Sequence, residues 1–88
     1  MRYLNELQQI VRRVNPACRD ANLDQNTLLL EERILDSLQI VAMIAEIETS
    51  FGVRVKLDDV IPENFETLQS IDQMILRSSK SSDTSENL

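Results

Sequence analysis

An all-α fold is the class this sequence predicts, with three main helices, one short helix and a long loop after the first. Three observations predict it. Apolar residues recur at spacings of three and four in separate stretches. The core has to be built from Leu, Ile, Val and Met, because aromatics make up 3% of the 88 residues and Trp is absent, and leucine-rich cores suit packed helices. The alternating run Val53-Arg54-Val55-Lys56-Leu57 has no second alternating run to pair with, and a lone strand is not stable.

The first helix is read from Arg2 to Val14, where Leu4, Leu7, Val11 and Val14 form one stripe with Ile10 beside it. Asn15-Pro16 ends it, since proline pushes the preceding residue out of helical geometry. Residues 17–36 are too polar and irregular for a helix. Leu23 and the run Leu28-Leu29-Leu30 are expected to pin this stretch over the core as an ordered loop, and loops of this length are uncommon unless functional. A second helix runs from Ser37 to Phe51, and Gly52 is suited to a left-handed C-terminal cap. Asp58 to Ile61 is read as one short helical turn before Pro62. A last helix starts at Glu66 or Thr67, with Leu68, Ile71, Met74 and Ile75 sharing a stripe. After Leu76 the chain becomes "RSSKSSDTSENL", with five serines in twelve residues, too polar to order itself by burial. Residues 1–76 are therefore expected to form one domain and 77–88 a disordered serine-rich tail.

Composition removes whole classes of function. Histidine is absent and there is one cysteine, which excludes Cys/His zinc sites, Ser-His-Asp triads and Cys-His pairs. Cys18 is read as loop filler, and no metal site is expected. Glu31, Glu32 and Asp36 are read as a solvated loop, not an acid/base group, so the chain is not expected to be an enzyme. With 9 basic and 15 acidic residues the net charge is -6, which makes nucleic acid a poor partner. The sequence contains no apolar run of about 18 residues and no signal-peptide core. A soluble, cytoplasmic monomer without a membrane span is expected.

The second helix carries two apolar faces. At about 100° per residue, Ile40, Met43, Ile44, Ile47 and Phe51 share one arc, the natural core side. Leu38, Val41, Ala42 and Ala45 lie on the opposite arc, where an apolar patch rimmed by polar groups marks an interaction site. The competing reading is that the leucine-rich loop folds over this second arc. At the head of the helix, Asp36 is a favoured N-cap and Gln39 stands three positions on, a capping-box spacing. Ser37 then occupies the first helical position with its hydroxyl unneeded by the cap. Free N–H groups and the helix dipole favour an anion there.

An Asp-Ser-Leu about forty residues into the chain, heading an apolar helix after a long loop, resembles the acyl carrier and peptidyl carrier protein family. The segments that carry the resemblance are "LLLEERILDSLQIVAMIAEIETSFGVRV" and "IPENFETLQSIDQMI", within a stretch from about residue 4 to 76. The resemblance implies a four-helix carrier bundle modified by a phosphopantetheinyl transferase, with 4'-phosphopantetheine from coenzyme A attached at Ser37 and Asp36 beside it. It implies that the thiol of that arm holds an acyl, aminoacyl or peptidyl group as a thioester. The chemistry would then belong to the partners: a loading enzyme and a downstream acyltransferase or synthase.

Two departures stand out. Many members of that family have glycine shortly before the Asp-Ser, where this chain has Arg33-Ile34-Leu35. Carriers of fatty acid synthesis line the outer face of the second helix with carboxylates, whereas the partner-binding residues expected here are Leu38, Gln39, Val41, Ala42, Ala45 and Glu48. The pattern is closer to stand-alone carriers of specialised biosynthesis, of polyketide, nonribosomal peptide or aminoacyl type, than to a primary fatty acid carrier. The alternative is an unmodified helical adaptor that docks a partner through the outer face of the second helix.

Overall fold

A helix end leaves backbone N–H or C=O groups without intrahelical partners, and in this chain named side chains take them over. The computed structural model describes residues 1–86, with side chains through Ser78. Helix α1 spans Leu4–Val14, α2 spans Ser37–Phe51 and α3 spans Leu68–Glu86; single 3-10 turns occupy Pro16–Cys18, Leu57–Asp59 and Pro62–Phe65. No strand occurs among the described residues, so the fold is all-α.

Helix α1 begins under a cap from another helix: the backbone N–H of Tyr3 donates to the buried Asp72 carboxylate of α3 at 2.8 Å. A carboxylate at a helix N-terminus also meets the favourable end of the dipole. The helix stops at Asn15, whose side-chain oxygen accepts from the Ala17 N–H and so opens the turn at Pro16. Gly52 closes α2 at φ 64° while its N–H donates to the Glu48 carbonyl, the left-handed conformation that glycine adopts without penalty. Thr67 heads α3, its hydroxyl oxygen accepting from the Ser70 N–H at 3.1 Å.

The core is drawn from every element. Leu7, Ile10 and Val11 of α1, Met43 and Ile47 of α2, and Leu68, Ile71, Met74 and Ile75 of α3 are buried around Phe65. The long loop contributes Leu23, Leu29 and Leu35, all buried, as expected of an ordered loop pinned by leucines. Its backbone is tied down as well: the Gln8 side-chain N–H donates to the Leu23 carbonyl, and the Gln69 N–H to the Gln25 carbonyl. At the end of the molecule away from Ser37, the Tyr3 and Phe51 rings pack with centroids 4.7 Å apart.

Three details differ from expectation. The single short helix over Asp58–Ile61 is instead two 3-10 turns separated by Val60 and Ile61, because Pro62 cannot donate to a preceding turn but is well suited to begin the next. Cys18 is not loop filler: the turn at Pro16–Cys18 folds its thiol inward and buries it. The backbone of α3 stays helical to Glu86, across the residues whose composition reads as a tail. Once a packed helix is nucleated, each further residue adds a hydrogen bond at little cost. Asn87 and Leu88 of that expected tail lie outside the described residues.

The inner arc of α2 is graded. Met43 and Ile47 are fully buried, while Ile40, Ile44 and Phe51 are half-buried against the same cluster. Ile47→Ala is expected to destabilise the protein by about 2–5 kcal/mol, as truncation of a fully buried side chain does. Ile44→Ala should cost less, and Val41→Ala should stay within about 0.5 kcal/mol, as surface substitutions do. Urea titrations followed by circular dichroism measure all three, and equal losses would contradict the assignment of faces.

Candidate functional site

The loop that leads into α2 is organised by Leu29. Its side chain is buried, its N–H donates to the Glu66 carbonyl at 2.8 Å, and its carbonyl accepts from the N–H groups of both Ile34 and Leu35, at 2.9 and 3.0 Å. The chain must therefore fold back on itself within six residues. Arg33 absorbs that reversal at φ 59°, the one non-glycine residue with positive φ among those described. Left-handed backbone is costly for a residue with a β-carbon, and such outliers concentrate at functional sites. From the other side, the Asn15 side-chain N–H holds the Ile34 carbonyl at 2.8 Å, so the residue that ends α1 also positions the approach to α2.

With Leu35 buried, Asp36 arrives at the head of α2 in extended conformation. Its carboxylate accepts from the Gln39 N–H at 2.9 Å, and the Gln39 side-chain oxygen accepts from the Asp36 N–H at 2.9 Å, the reciprocal capping box the spacing predicts. Ser37 is the first residue of the helix and is exposed. Its hydroxyl makes no hydrogen bond among the described residues, and the amides of Ser37 and Leu38 are likewise without acceptors. A free hydroxyl sits beside unpaired N–H groups at the positive end of a helix, an arrangement that accommodates an anion attached to the oxygen.

Next to Ser37 the surface is apolar. Leu38 is 82% exposed and Val41 64%, so the leucine-rich loop does not fold over the outer arc. Leu30 instead forms one wall of an open cleft of about 260 Å³, which Ser37, Ile40, Val41, Val60, Ile61, Pro62 and Phe65 complete. Leu57, on the turn before this segment, is 87% exposed. Val60 and Ile61 escaped the reading of the sequence, although two consecutive apolar residues ahead of a proline that cannot prolong a helix were a signal of exposure.

The residues expected to bind a partner divide into two groups. Leu38, Val41 and Ala45 are exposed and Ala42 is half-buried, as a docking face requires. Gln39 and Glu48 are committed elsewhere. The Gln39 side chain is held in the capping box, and Glu48 Oε2 accepts from the Val55 N–H at 2.9 Å, tying the segment after Gly52 back to the helix. Glu46 pairs with Arg13 of α1 at 2.7 Å, the one ion pair among the described residues. Both carboxylates within α2 thereby have partners, Glu46 in an exposed ion pair and Glu48 in a part-buried hydrogen bond, beside the apolar strip of Leu38, Val41 and Ala45. Among the described residues no cluster of potential metal ligands occurs, and no helix is long and apolar enough to cross a membrane.

A family model described as a phosphopantetheine attachment site matches residues 5–75. Among solved structures, a chain from one described as "Crystal structure of FAD-dependent dehydrogenase" is 36% identical, with 73% of this chain and 94% of that chain aligned at a TM-score of 0.62. No curated protein matches the chain.

Three substitutions test the construction of the site. Asp36→Ala is expected to cost about 1 kcal/mol, the usual penalty for losing an N-cap side chain. Arg33→Gly should leave stability unchanged or raised, whereas Arg33→Val, with a β-branched residue forced to positive φ, should lower it by about 1 kcal/mol or more. Thermal melts of the three variants check both, and a destabilised Arg33→Gly would contradict the strain at this position.

Proposed function

This chain belongs to the family of phosphopantetheine attachment domains, and we propose that it carries its covalent 4'-phosphopantetheine on Ser37 and shuttles acyl or aminoacyl thioesters between enzymes of specialised biosynthesis. The observation that carries the assignment to Ser37 is its exposed hydroxyl, free of hydrogen bonds at the capped start of α2. The residues fit the group. The phosphodiester would lie at the unpaired N–H groups of the first turn, Asp36 is held back by its own cap to Gln39, and the apolar cleft opens beside the ester oxygen. When bound, the arm supplies a terminal thiol that holds the cargo as a thioester; the protein presents the serine, orients it and offers a surface for the enzymes that act.

Those enzymes are a phosphopantetheinyl transferase, a loading enzyme and a downstream acyltransferase or synthase. The preference for specialised over primary fatty acid metabolism rests on the docking face. Leu38, Val41, Ala42 and Ala45 offer area for an apolar cradle, while Glu46 and Glu48 are occupied by Arg13 and the Val55 N–H. A partner that reads carboxylates through a basic patch finds little here. Gln39 and Glu48 border this surface and hold its frame. A helical adaptor without an arm would use the same face, but the family match favours the carrier.

The similar solved chain suggests one class of partner. Since 73% of 88 residues is 94% of that chain, it is about 68 residues long, the size of a small carrier domain and not of a flavin enzyme. The reading therefore includes an FAD-dependent dehydrogenase that removes a hydride and a proton from the tethered group while the flavin is reduced.

Incubating the apo protein with coenzyme A and a broad-specificity transferase is expected to add one phosphopantetheinyl mass, and Ser37→Ala should abolish the gain without loss of fold. A gain that survives Ser37→Ala would overturn the site. Loading and turnover should also change little when salt is raised to about 0.5 M, where exposed charges are strongly screened; a collapse in kcat/KM would mean that partners read charge. Val41→Asp should impair both steps and leave the melting curve near that of the parent.

A further inference from the structure

Asn15 belongs to the end of α1, yet its side chain reaches the segment that delivers Ser37. We infer that Asn15 is a positioning residue for the loading reaction, a latch that sets the serine oxygen through the backbone of Ile34 and Leu35. The inference rests on attachment at Ser37, as proposed above, and adds a residue that acts there from a distance.

Pro16 drives Asn15 out of helical geometry, to φ -130° and ψ 87°. Both ends of the side chain are then used. Oδ1 accepts from the Ala17 N–H at 3.2 Å, and Nδ2 donates to the Ile34 carbonyl at 2.8 Å. The partners, an N–H and a carbonyl, fix which end is which. Asparagine offers a donor and an acceptor on one short side chain, whereas an ionised aspartate offers acceptors alone.

The peptide unit gripped in this way is the one between Ile34 and Leu35. Its N–H donates to the Leu29 carbonyl at 3.0 Å, so Asn15 holds one edge of the plane and Leu29 the other. Upstream lies Arg33 at φ 59°, a conformation that costs energy and persists only where surrounding contacts impose it. Downstream, only Leu35 and Asp36 separate the plane from Ser37. Freed at its carbonyl, the unit is held by the N–H alone and tilts as Arg33 relaxes. The Asp36 carboxylate then drifts from the Gln39 N–H, and the Ser37 oxygen drifts from the phosphorus it attacks. A displacement of about 1 Å from a remote change costs about 10²-fold in rate.

Two variants separate the latch from the cap. Asn15→Asp keeps the acceptor for Ala17 and removes the donor to Ile34; Asn15→Ser keeps a capping oxygen on a side chain too short to reach Ile34. Full-length protein is assayed where circular dichroism shows each variant folded. In the apo form, the amides of Asp36 and Gln39 are expected to exchange about tenfold faster than in the parent, as loss of one hydrogen bond allows, with the core amides of α1 and α3 unchanged. With coenzyme A and a broad-specificity transferase, kcat for loading should fall about tenfold or more. KM for the carrier should stay at the parent value, because Leu38, Val41 and Ala45 still present the same face.

Parent-like kcat in both variants overturns the inference. So does exchange that quickens throughout the protein, up to loss of the fold in both, since Asn15 would then serve general stability. A raised KM with kcat unchanged assigns it to docking and overturns the inference as well. Failure of the parent to gain mass on Ser37 overturns the attachment reading instead. The exchange result on apo protein does not depend on that gain, so the two failures are distinguishable.

Discussion

The site depends on what Leu29 does with its backbone. One carbonyl accepts from two N–H groups, those of Ile34 and Leu35, while its own N–H reaches across to Glu66 and its side chain is locked in the core. A buried peptide unit left unpaired would be costly, so this arrangement both satisfies the loop and leaves it little alternative. The reversal it imposes sends Arg33 into left-handed backbone, buries Leu35 and delivers Asp36 to the head of α2. The exposed serine is the end product of constraints laid eight residues earlier.

The same economy governs charge. The chain is acidic overall, yet the carboxylates of its central helix are spent on internal structure: Glu46 joins α2 to α1, and Glu48 ties down the segment after Gly52. The apolar residues it exposes are Leu38, Val41 and Ala45, continued across the cleft by Val60 and Ile61. Specificity on such a surface comes from shape and apolar fit, with electrostatics contributing mainly to the rate of encounter.

Much of this was legible in the sequence because it is local. The Asp36–Gln39 capping box, the Gly52 cap and the Thr67 start of α3 are patterns within four residues, and helical periodicity separated Met43 and Ile47 from Leu38 and Val41. What escaped was set by contacts that no local pattern encodes, some of them distant along the chain. Nothing near Glu48 announces that Val55 will claim its side chain, and nothing near Tyr3 announces the cap from Asp72. The left-handed Arg33 arises from the hydrogen bonds of Ile34 and Leu35 to the Leu29 carbonyl, which no residue in the segment signals. The cleft needed two elements, α2 and the Val60–Pro62 segment, whose approach no periodicity reports.

The turn that folds the side chain of Cys18 inward has a chemical consequence for a protein that carries phosphopantetheine. A second accessible sulfhydryl could intercept an activated acyl group by exchange, or form a mixed disulfide with the prosthetic thiol. With the one cysteine of the chain buried, the loaded protein would present a single reactive sulfur to its surroundings, and the acyl group would have no intramolecular competitor for its bond.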